Sequence, residues 1–271
     1  MELTRTAAYD AYGLSEAERG LLARFGDLLL ASVDNVTGIR EPSILEDHHL
    51  LDSLSLLTLA AVREAHTVVD VGSGGGLPAA VLAIARPELK VVALESVGKK
   101  CRFIDAAART LGLSNLQVAC GRAEDLGQGP GRASFDLAVV RAVASLPAVA
   151  ELAVPLLRLG GYFVAMKGAL PEEECAQGEK ALAILGCGLL SAERVEPFPG
   201  AENRLLYVAR KDHVTPDAYP RRPGIPAKRP LGAAGPRARS GRAGGSRRGS
   251  GKPGATEGSV GAGSAGEDAG K

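Results

Sequence analysis

Cysteine is scarce in this chain of 271 residues, and the four cysteines are too widely spaced for the CxxC pairs of metal and redox sites. They are Cys101, Cys120, Cys175 and Cys187. In a chain of this length they are expected to be buried, reduced thiols, which suits a cytosolic protein. No apolar run approaches the roughly 18 residues that a membrane span needs, and the N-terminal residues lack the pattern of a signal peptide. The sequence therefore predicts a cytoplasmic protein without a membrane span or a metal centre.

Acidic residues are missing from residues 218–256, which carry ten arginines and lysines. Positive charges exceed negative ones by eight over residues 218–271, so the formal net charge of +1 leaves about −7 on residues 1–217. Gly, Pro, Ala, Ser and Arg dominate beyond residue 216, and such a composition cannot bury enough apolar surface to offset its ordering entropy. We therefore predict a basic, disordered tail over residues 213–271. It either grips RNA phosphates or is a solvated extension.

What the chain does contain is an alternation of apolar runs with helical patterns. Residues 1–60 favour helices, one of which begins at a capping box of Ser15 and Glu18. Five buried strands then alternate with helices, which is typical of a parallel sheet covered on both faces. These strands are predicted at residues 67–71, 90–95, 116–120, 135–140 and 162–166. Two later β-like runs, 189–195 and 204–209, fit an antiparallel pair. We predict an α/β fold with a helical cap (residues 1–60), a doubly wound, mostly parallel sheet with an antiparallel last strand (61–212) and the tail.

A glycine-rich loop follows the first buried strand, in residues 70–78 (DVGSGGGLP). Glycines are needed where a chain turns sharply and where a ligand approaches the backbone closely. The dinucleotide fingerprint G-x-G-x-x-G fails, because its third glycine would fall on Leu77. The spacing of Gly72, Gly74 and Gly76 is instead the form found in S-adenosylmethionine-dependent methyltransferases, and the predicted sheet matches their class I (Rossmann-like) architecture. This spacing disfavours a nicotinamide dehydrogenase.

Two acids follow the next two strands, where the nucleoside of such a cofactor would lie. Glu95 ends the second strand and is suited to accept hydrogen bonds from both ribose hydroxyls. Glu124 comes shortly after the third strand, where adenine would be held by a backbone amide and a carboxylate. The glycine loop and these two acids together favour a binding site over a mere tight turn. The sequence therefore predicts S-adenosylmethionine as the cofactor.

Several segments together resemble the RsmG (GidB) family, the guanine-N7 methyltransferases of small-subunit ribosomal RNA. They are residues 35–40 (NVTGIR), 49–53 (HLLDS), 69–78 (VDVGSGGGLP), 86–87 (RP), 141–146 (RAVASL) and 166–168 (MKG). The resemblance covers about residues 15–210. The glycine loop is common to many methyltransferases, whereas the H-x-L-D-S, R-A-x-A-S-L and K-G pieces in this order are much more specific. Residues 219–226 (YPRRPGIP) also occur in some relatives, so this part of the tail could be ordered.

The resemblance also implies the positions of the cofactor contacts. These are Gly72 and Leu77 in the loop, Glu95, Ser96 and Val97 at the ribose, and Ala123 and Glu124 at the adenine. Arg141, which ends the fourth strand, would lie beside the transferring methyl group and the carboxylate of the cofactor. Gly75 stands where many relatives carry proline or alanine, and His48 where a basic residue is usual. Neither Gly75 nor His48 is one of the implied cofactor contacts, but the change at position 48 leaves undecided whether His48 contacts the RNA.

The implied reaction is methylation of guanine N7 in the decoding region of 16S ribosomal RNA, with the RNA or the small ribosomal subunit as partner. Guanine N7 has an in-plane lone pair, so the enzyme must align donor and acceptor rather than supply a strong base. The chain also lacks the [ND]-P-P-[YFW] loop of adenine-N6 enzymes and a Pro-Cys nucleophile for pyrimidines. The alternatives are a methyltransferase acting on another RNA or a ribosomal protein, and a non-catalytic, cofactor-sensing RNA-binding protein.

Four polar residues have two interpretations each. Arg141 positions the cofactor, or it forms an ion pair with Asp136 or Glu151. His49 handles the RNA together with Asp52, or both bridge the N-terminal helices to the sheet. Lys167 ends the fifth strand, at the sheet edge where ligands collect, and contacts an RNA phosphate or is a solvated surface lysine.

Overall fold

The computed structural model describes residues 1–141 and 144–233, which form one seven-stranded sheet with helices on both faces. The strands are Thr67–Val71 (β1), Lys90–Glu95 (β2), Leu116–Cys120 (β3), Phe135–Arg141 (β4), Leu157–Lys167 (β5), Ser191–Val195 (β6) and Arg204–Arg210 (β7). They lie in the order β3-β2-β1-β4-β5-β7-β6. Strands β1 to β5 run parallel, and β7 runs antiparallel to both β5 and β6. The predicted doubly wound sheet with an antiparallel end is confirmed.

The helices fall into an N-terminal group, a group that alternates with the strands, and a short last helix. The N-terminal group consists of Thr6–Ala11 (α1), Glu16–Ala31 (α2), Pro42–Leu45 (α3), Asp52–Leu54 (α4) and Ala60–Glu64 (α5). The others are Ala79–Ala85 (α6), Gly98–Leu111 (α7), Ala123–Gln128 (α8), Leu146–Ala153 (α9), Glu172–Leu185 (α10) and Ile225–Lys228 (α11). The predicted capping box is present, because Ser15 Oγ accepts from the Glu18 backbone N–H and the Glu18 carboxylate accepts from the Ser15 N–H.

The chain between α3 and α4 widens into a π-helical turn over Glu46–Leu51, and Ser55–Thr58 continues it as a 3₁₀ turn. Residues 42–58 therefore form an irregular helical segment rather than one regular helix. π-Helical turns occur often at functional sites, because the wider turn changes the direction of the side chains. This one carries His48 and His49 and is followed directly by Asp52.

The core has one apolar layer on each face of the sheet. Because side chains alternate along a strand, the neighbours Val68 and Val69 enter opposite layers. Phe25 of α2 packs in the same layer as Leu82 of α6. The predicted border between residues 60 and 61 therefore crosses one continuous core, and residues 1–233 form a single compact unit.

The start of the predicted tail is where the structure differs most from the sequence prediction. Residues 213–233 pack against the folded unit, because their backbone carbonyls and one arginine find polar partners there. Arg132 donates to the carbonyls of Thr215 and Tyr219, both at 2.7 Å. Arg221 forms an ion pair with the fully buried Glu151. Disorder is therefore the wrong prediction for residues 213–233, and residues 234–271 lie outside the described residues.

The cysteines also differ from expectation. A disulfide joins Cys101, in the first turn of α7, to Cys120, at the end of β3, so the prediction of reduced thiols is wrong for this pair. The two cysteines are 19 residues apart in sequence, so their spacing does not show that the start of α7 lies next to the end of β3. Cys187 is buried and Cys175 is half-buried, both as free thiols.

Residues 1–141 and 144–233 contain neither a membrane-spanning helix nor a cluster of metal ligands. No helix in these ranges combines the length and the apolar character that a bilayer span requires. No three His, Cys, Asp or Glu side chains in the same ranges form a group that could hold a metal ion.

Candidate active site

The glycine loop turns sharply between β1 and α6. Gly72, Gly74 and Gly76 all have positive φ values, of 81°, 58° and 86°, a region that other residues adopt only with strain. The Gly72 N–H donates to the Leu94 carbonyl of β2 at 2.8 Å, which fixes the loop against the neighbouring strand. A Cβ atom built on Gly74 would have no neighbour within 4 Å. The loop backbone is therefore open to a ligand at this residue.

The Glu95 carboxylate connects this loop to the end of β2. Its Oε2 accepts from the Gly74 N–H at 2.8 Å, and its Oε1 accepts from the N–H groups of Ser96 and Val97, each at 2.8 Å. The carboxylate is buried, so these three donors compensate for its lost hydration. Val97 contributes through its backbone, because its side chain is 40% exposed.

A cavity of about 410 Å³ opens at the carboxyl ends of β1 and β2, and we call it the loop cavity. Its lining is Val36, Thr37, Gly38, His49, Gly72, Ser73, Gly74, Gly75, Leu77, Glu95, Ser96, Lys100 and Arg141. Five residues predicted to contact the cofactor in the loop or at the ribose therefore line the same cavity, and so does Arg141. The five are Gly72, Gly74, Leu77, Glu95 and Ser96. Gly76 and Val97 do not line this cavity. Val36–Gly38 were not predicted to line the loop cavity, because no local sequence pattern links this N-terminal loop to the sheet.

Asp70, the last acid before the loop, is a further functional candidate that the sequence analysis did not single out. It is completely buried, its Oδ2 accepts from the Ala79 N–H at 3.1 Å, and its Oδ1 has no hydrogen-bond partner in the described part of the chain. Burial raises the pKa of this carboxyl group to about 6. An unpartnered carboxylate oxygen of this kind favours a cationic ligand nearby. The signal for Asp70 was its place two residues before Gly72.

Arg141 lies at the end of β4 in a charged cluster. Its Nη1 donates to the His48 carbonyl at 3.2 Å and lies 3.5 Å from Asp52 Oδ2. Burial lowers the pKa of Arg141, and the Asp52 carboxylate opposes this effect. On the other side of Asp52, Arg204 Nε lies 3.2 Å from Oδ1, and the same arginine donates from Nη2 to His48 Nδ1 at 2.9 Å. Arg204 was missed because it is 152 positions from Asp52 in the sequence.

The predicted ion-pair partners of Arg141 were wrong. Asp136 pairs with Arg158, and Glu151 pairs with Arg221. The partner of Arg141 is Asp52 instead, because the π-helical turn brings this part of the N-terminal cap to the end of β4.

A second cavity of about 410 Å³ lies at the end of β5, and we call it the β5 cavity. Its lining is His48, His49, Asp52, Ser55, Arg141, Met166, Lys167, Gly168, Ala169, Leu170, Val195, Arg204, Leu205 and Leu206. His49 and Arg141 line both cavities, so these two side chains form a shared wall. Two ligands could therefore meet at this wall, one from each side.

His49 and Lys167, the two predicted RNA contacts, form hydrogen bonds within the protein. His49 Nδ1 lies 3.0 Å from the His48 carbonyl, and Nε2 lies 2.6 Å from Thr37 Oγ1. Burial, with Arg141 adding to it, lowers the pKa of His49 to about 4, so the ring is neutral at pH 7. Lys167 Nζ donates to the Ala144 carbonyl at 2.6 Å. Both side chains line the β5 cavity, and neither is a solvated surface group.

The predicted adenine contacts lie away from the loop cavity. Ala123 and Glu124 are both buried at the start of α8. Glu124 Oε1 accepts from the Gly224 N–H at 3.0 Å and from Arg122 Nη2 at 3.2 Å. Glu124 lines a third cavity, of about 470 Å³, between α8 and residues 218–225.

A family model described as rRNA small subunit methyltransferase G, named GidB, matches residues 22–197. The chain belongs to the GidB family. A GidB relative from Rubrobacter xylanophilus, named ribosomal RNA small subunit methyltransferase G, is 45% identical over 83% of this chain and 89% of its own length. A relative of the same name from Deinococcus radiodurans is 42% identical over 85% of this chain and 92% of its own. A relative of the same name from Moorella thermoacetica is 41% identical over 80% and 88%.

The fold also has solved counterparts. The apo structure of the S-adenosylmethionine-dependent methyltransferase SibL aligns with a TM-score of 0.50 and 16% identity, over 60% of this chain and 55% of that one. At this identity the likeness shows the fold alone. Together with the family, it makes this GidB member a class I, S-adenosylmethionine-dependent methyltransferase.

The residues present fit that cofactor. The open backbone at Gly74 leaves room for a ligand against the loop. The unpartnered Oδ1 of Asp70 suits a ligand with cationic groups, which S-adenosylmethionine has in its ammonium and sulfonium. The cavity volume of about 410 Å³ is within the usual range of small-molecule sites.

Proposed function

We propose that this protein transfers the methyl group of S-adenosylmethionine to N7 of a guanine in the decoding region of 16S ribosomal RNA. The observation that carries the proposal is the shared wall of His49 and Arg141 between the loop cavity and the β5 cavity. The loop cavity would hold the cofactor, and the β5 cavity would take the guanine. A ribosomal substrate, as RNA or as small subunit, implies a cytoplasmic protein.

In this proposal the loop residues bind and orient the cofactor. Asp70, which is completely buried and does not line the loop cavity, would act on its cationic end through its charge, Glu95 and Ser96 would hold the ribose, and Arg141 would contact the carboxylate. S-adenosylmethionine, when bound, supplies a methyl group that its sulfonium makes electrophilic. Gly72, Gly74 and Leu77 provide the backbone surface on which the cofactor lies.

The reaction needs alignment rather than a base, because guanine N7 carries a free lone pair. His49 fits this requirement. Its low pKa and its contact with Thr37 keep the ring uncharged, so it lines the site without acting as a general base. Asp52, fixed between Arg141 and Arg204, offers the polar surface on which a guanine can be oriented. Alignment of this kind is a positioning effect, and it is sensitive to displacements of about 1 Å.

The test uses labelled S-adenosylmethionine with 16S RNA, and separately with small subunits, from cells that lack the modification. The label should appear at one guanine, mapped by chemical cleavage at N7-methylguanine. The variant Arg141→Met should lower kcat by about a hundredfold, and Arg141→Lys should recover part of this loss. Label on another base or in a ribosomal protein would reject the proposed acceptor.

A further inference from the structure

Cys101 and Cys120 form an oxidisable pair behind one wall of the loop cavity. Their Cα atoms are 5.8 Å apart, within the usual range for a disulfide, so the bond can form and break without a large movement of the backbone. Cys101 is 5% exposed, whereas Cys120 is exposed at the end of β3. A small oxidant or a thiol in solution can therefore reach the pair at Cys120.

The surroundings of this pair are basic. The first turn of α7 carries Lys99 and Lys100 and no acidic residue, and Arg102 comes directly after Cys101. Lys99 and Arg102 are exposed, and Lys100 is half-buried. Cysteines that react with oxidants lie in partly exposed, electropositive surroundings, whereas inert structural cysteines are buried among apolar groups. The environment of this disulfide is therefore that of a reactive pair.

The pair also contacts the ribose side of the proposed cofactor site. Cys101 Sγ lies 3.2 Å from the Glu95 carbonyl oxygen, and the N–H of Gly121, next to Cys120, donates to the same oxygen at 2.9 Å. Glu95 lines the loop cavity, and so does Lys100, the neighbour of Cys101. The disulfide thus joins the two chain segments that meet at Glu95.

We propose that Cys101 and Cys120 are a redox-active pair: a hydroperoxide oxidises the two thiols to the disulfide, and the disulfide holds the ribose wall of the cofactor site in its binding conformation. The inference rests on the proposed cofactor site. In the cytoplasm, where the proposed substrate is found, disulfides are mostly transient, as catalytic or redox-sensing groups. Because a cross-link lowers the cost of ordering this wall when the cofactor binds, the oxidised form binds more tightly.

The oxidation takes place in two steps. The Cys120 thiolate attacks one oxygen of the hydroperoxide, so that a sulfur–oxygen bond forms, the oxygen–oxygen bond breaks, and the leaving oxygen takes up the proton lost by the thiol. The Cys101 thiol then attacks the resulting sulfenic acid, the disulfide forms, and the hydroxyl group leaves as water with the proton of Cys101. Two thiols are oxidised and the peroxide bond is reduced. A dithiol in solution reverses the reaction and is itself oxidised to a disulfide.

The test uses the full chain, reduced with dithiothreitol and then treated with hydrogen peroxide. Peptide mapping should show that peroxide links Cys101 to Cys120 and that dithiothreitol separates them again. Calorimetry should show that the oxidised form binds S-adenosylhomocysteine about fivefold more tightly than the reduced form. Cys120→Ser should bind like the reduced wild type and should not respond to peroxide. The matched control is Cys175→Ser, which removes a half-buried thiol outside the pair and should keep the wild-type response.

A merely structural disulfide would resist dithiothreitol in the native protein, or its reduction would lower the melting temperature and leave the two affinities equal. Either result overturns the inference, and so does a wild-type response to peroxide in Cys120→Ser. If neither redox form binds S-adenosylhomocysteine, the proposed cofactor site fails and the coupling fails with it. The peptide map separates this case, because reversible formation of the disulfide is measured without the ligand.

Discussion

The two acids predicted to hold the cofactor's nucleoside are positioned in different ways. Glu95 accepts from three N–H groups of its own loop and the glycine loop, all within about twenty positions in the sequence. Glu124 accepts from Arg122, two positions away, and from Gly224, which is 100 positions away. Gly224 belongs to residues 218–229, which we call the strap, and the strap is held by the ion pair of Arg221 with Glu151, the strap anchor, across 70 positions. One side of the site is therefore built by local backbone geometry, and the other by long-range contacts.

This difference predicts how each side responds to mutation. A change in the glycine loop should alter ligand binding while the fold persists, because the loop is stabilised by its own short-range hydrogen bonds. A change in the strap anchor should first alter stability. The four predictions below test this contrast, from the largest expected effect to the smallest.

The substitution Gly74→Asp should weaken cofactor binding by about a hundredfold or more, because the new side chain would occupy the open space at this residue and its carboxylate would repel the carboxylate of the cofactor's methionine part. Calorimetry with S-adenosylmethionine measures this effect. Gly74→Asn is the matched control, since it has nearly the same shape and tolerates a positive φ without the charge. An equal loss in both variants would mean that crowding, and not charge, closes the site.

The substitution Arg221→Met should lower the free energy of unfolding by about 3 kcal/mol, because it leaves Glu151 buried without its partner. Urea unfolding measures the change. The control Arg210→Met removes the exposed ion pair with Asp212 and should cost less than about 1 kcal/mol. Similar losses in the two variants would contradict a special role for the strap anchor.

Cofactor affinity should fall as the pH is lowered through the pKa of Asp70, about 6. Burial raises this pKa, so the carboxyl group gains a proton well before an ordinary aspartate would and then loses its attraction for a cation. We expect a loss of up to about tenfold between pH 7 and pH 5. Asp70→Asn should bind more weakly at pH 7 and show a flat profile. The same slope in wild type and Asp70→Asn would assign the effect to another group.

Deletion of residues 234–271 should have the smallest effect. This segment carries seven positive and three negative charges. If it attracts RNA electrostatically, its loss should weaken RNA binding severalfold at low salt and hardly at all near 200 mM, on the order that counterion release predicts. Cofactor affinity and unfolding should stay unchanged. RNA affinity that is indifferent to the deletion at every salt concentration would favour a solvated extension.

The sequence predicted the sheet well, because buried parallel strands are short apolar runs between helices. β1, β2 and β3 have the predicted bounds. The glycine loop and Glu95 could be found for a similar reason, since their contacts are close in sequence. The spacing of the glycines directly reflects the backbone conformation that each one must adopt.

What could not be predicted depends on contacts between distant segments. Composition favoured a disordered tail, and only the resemblance of residues 219–226 to relatives favoured order there, whereas in the structure the ion pair of Arg221 with Glu151 and the packing of Tyr219 and Leu231 against the core hold this segment. Two other features could not be predicted for the same reason. They are the ion pair of Asp52 with Arg204 and the place of Val36–Gly38 in the lining of the loop cavity. No local pattern encodes which distant partner a single charged residue will meet.

The shared wall has a consequence for the binding of the two ligands. Arg141 lines both the loop cavity and the β5 cavity, so a ligand that contacts it in one cavity would change the affinity of the other cavity for its own ligand. Thermodynamic linkage makes this influence equal in both directions. Arg141 would then couple the affinity for the donor to the affinity for RNA by one and the same factor, with no moving domain between the two ligands.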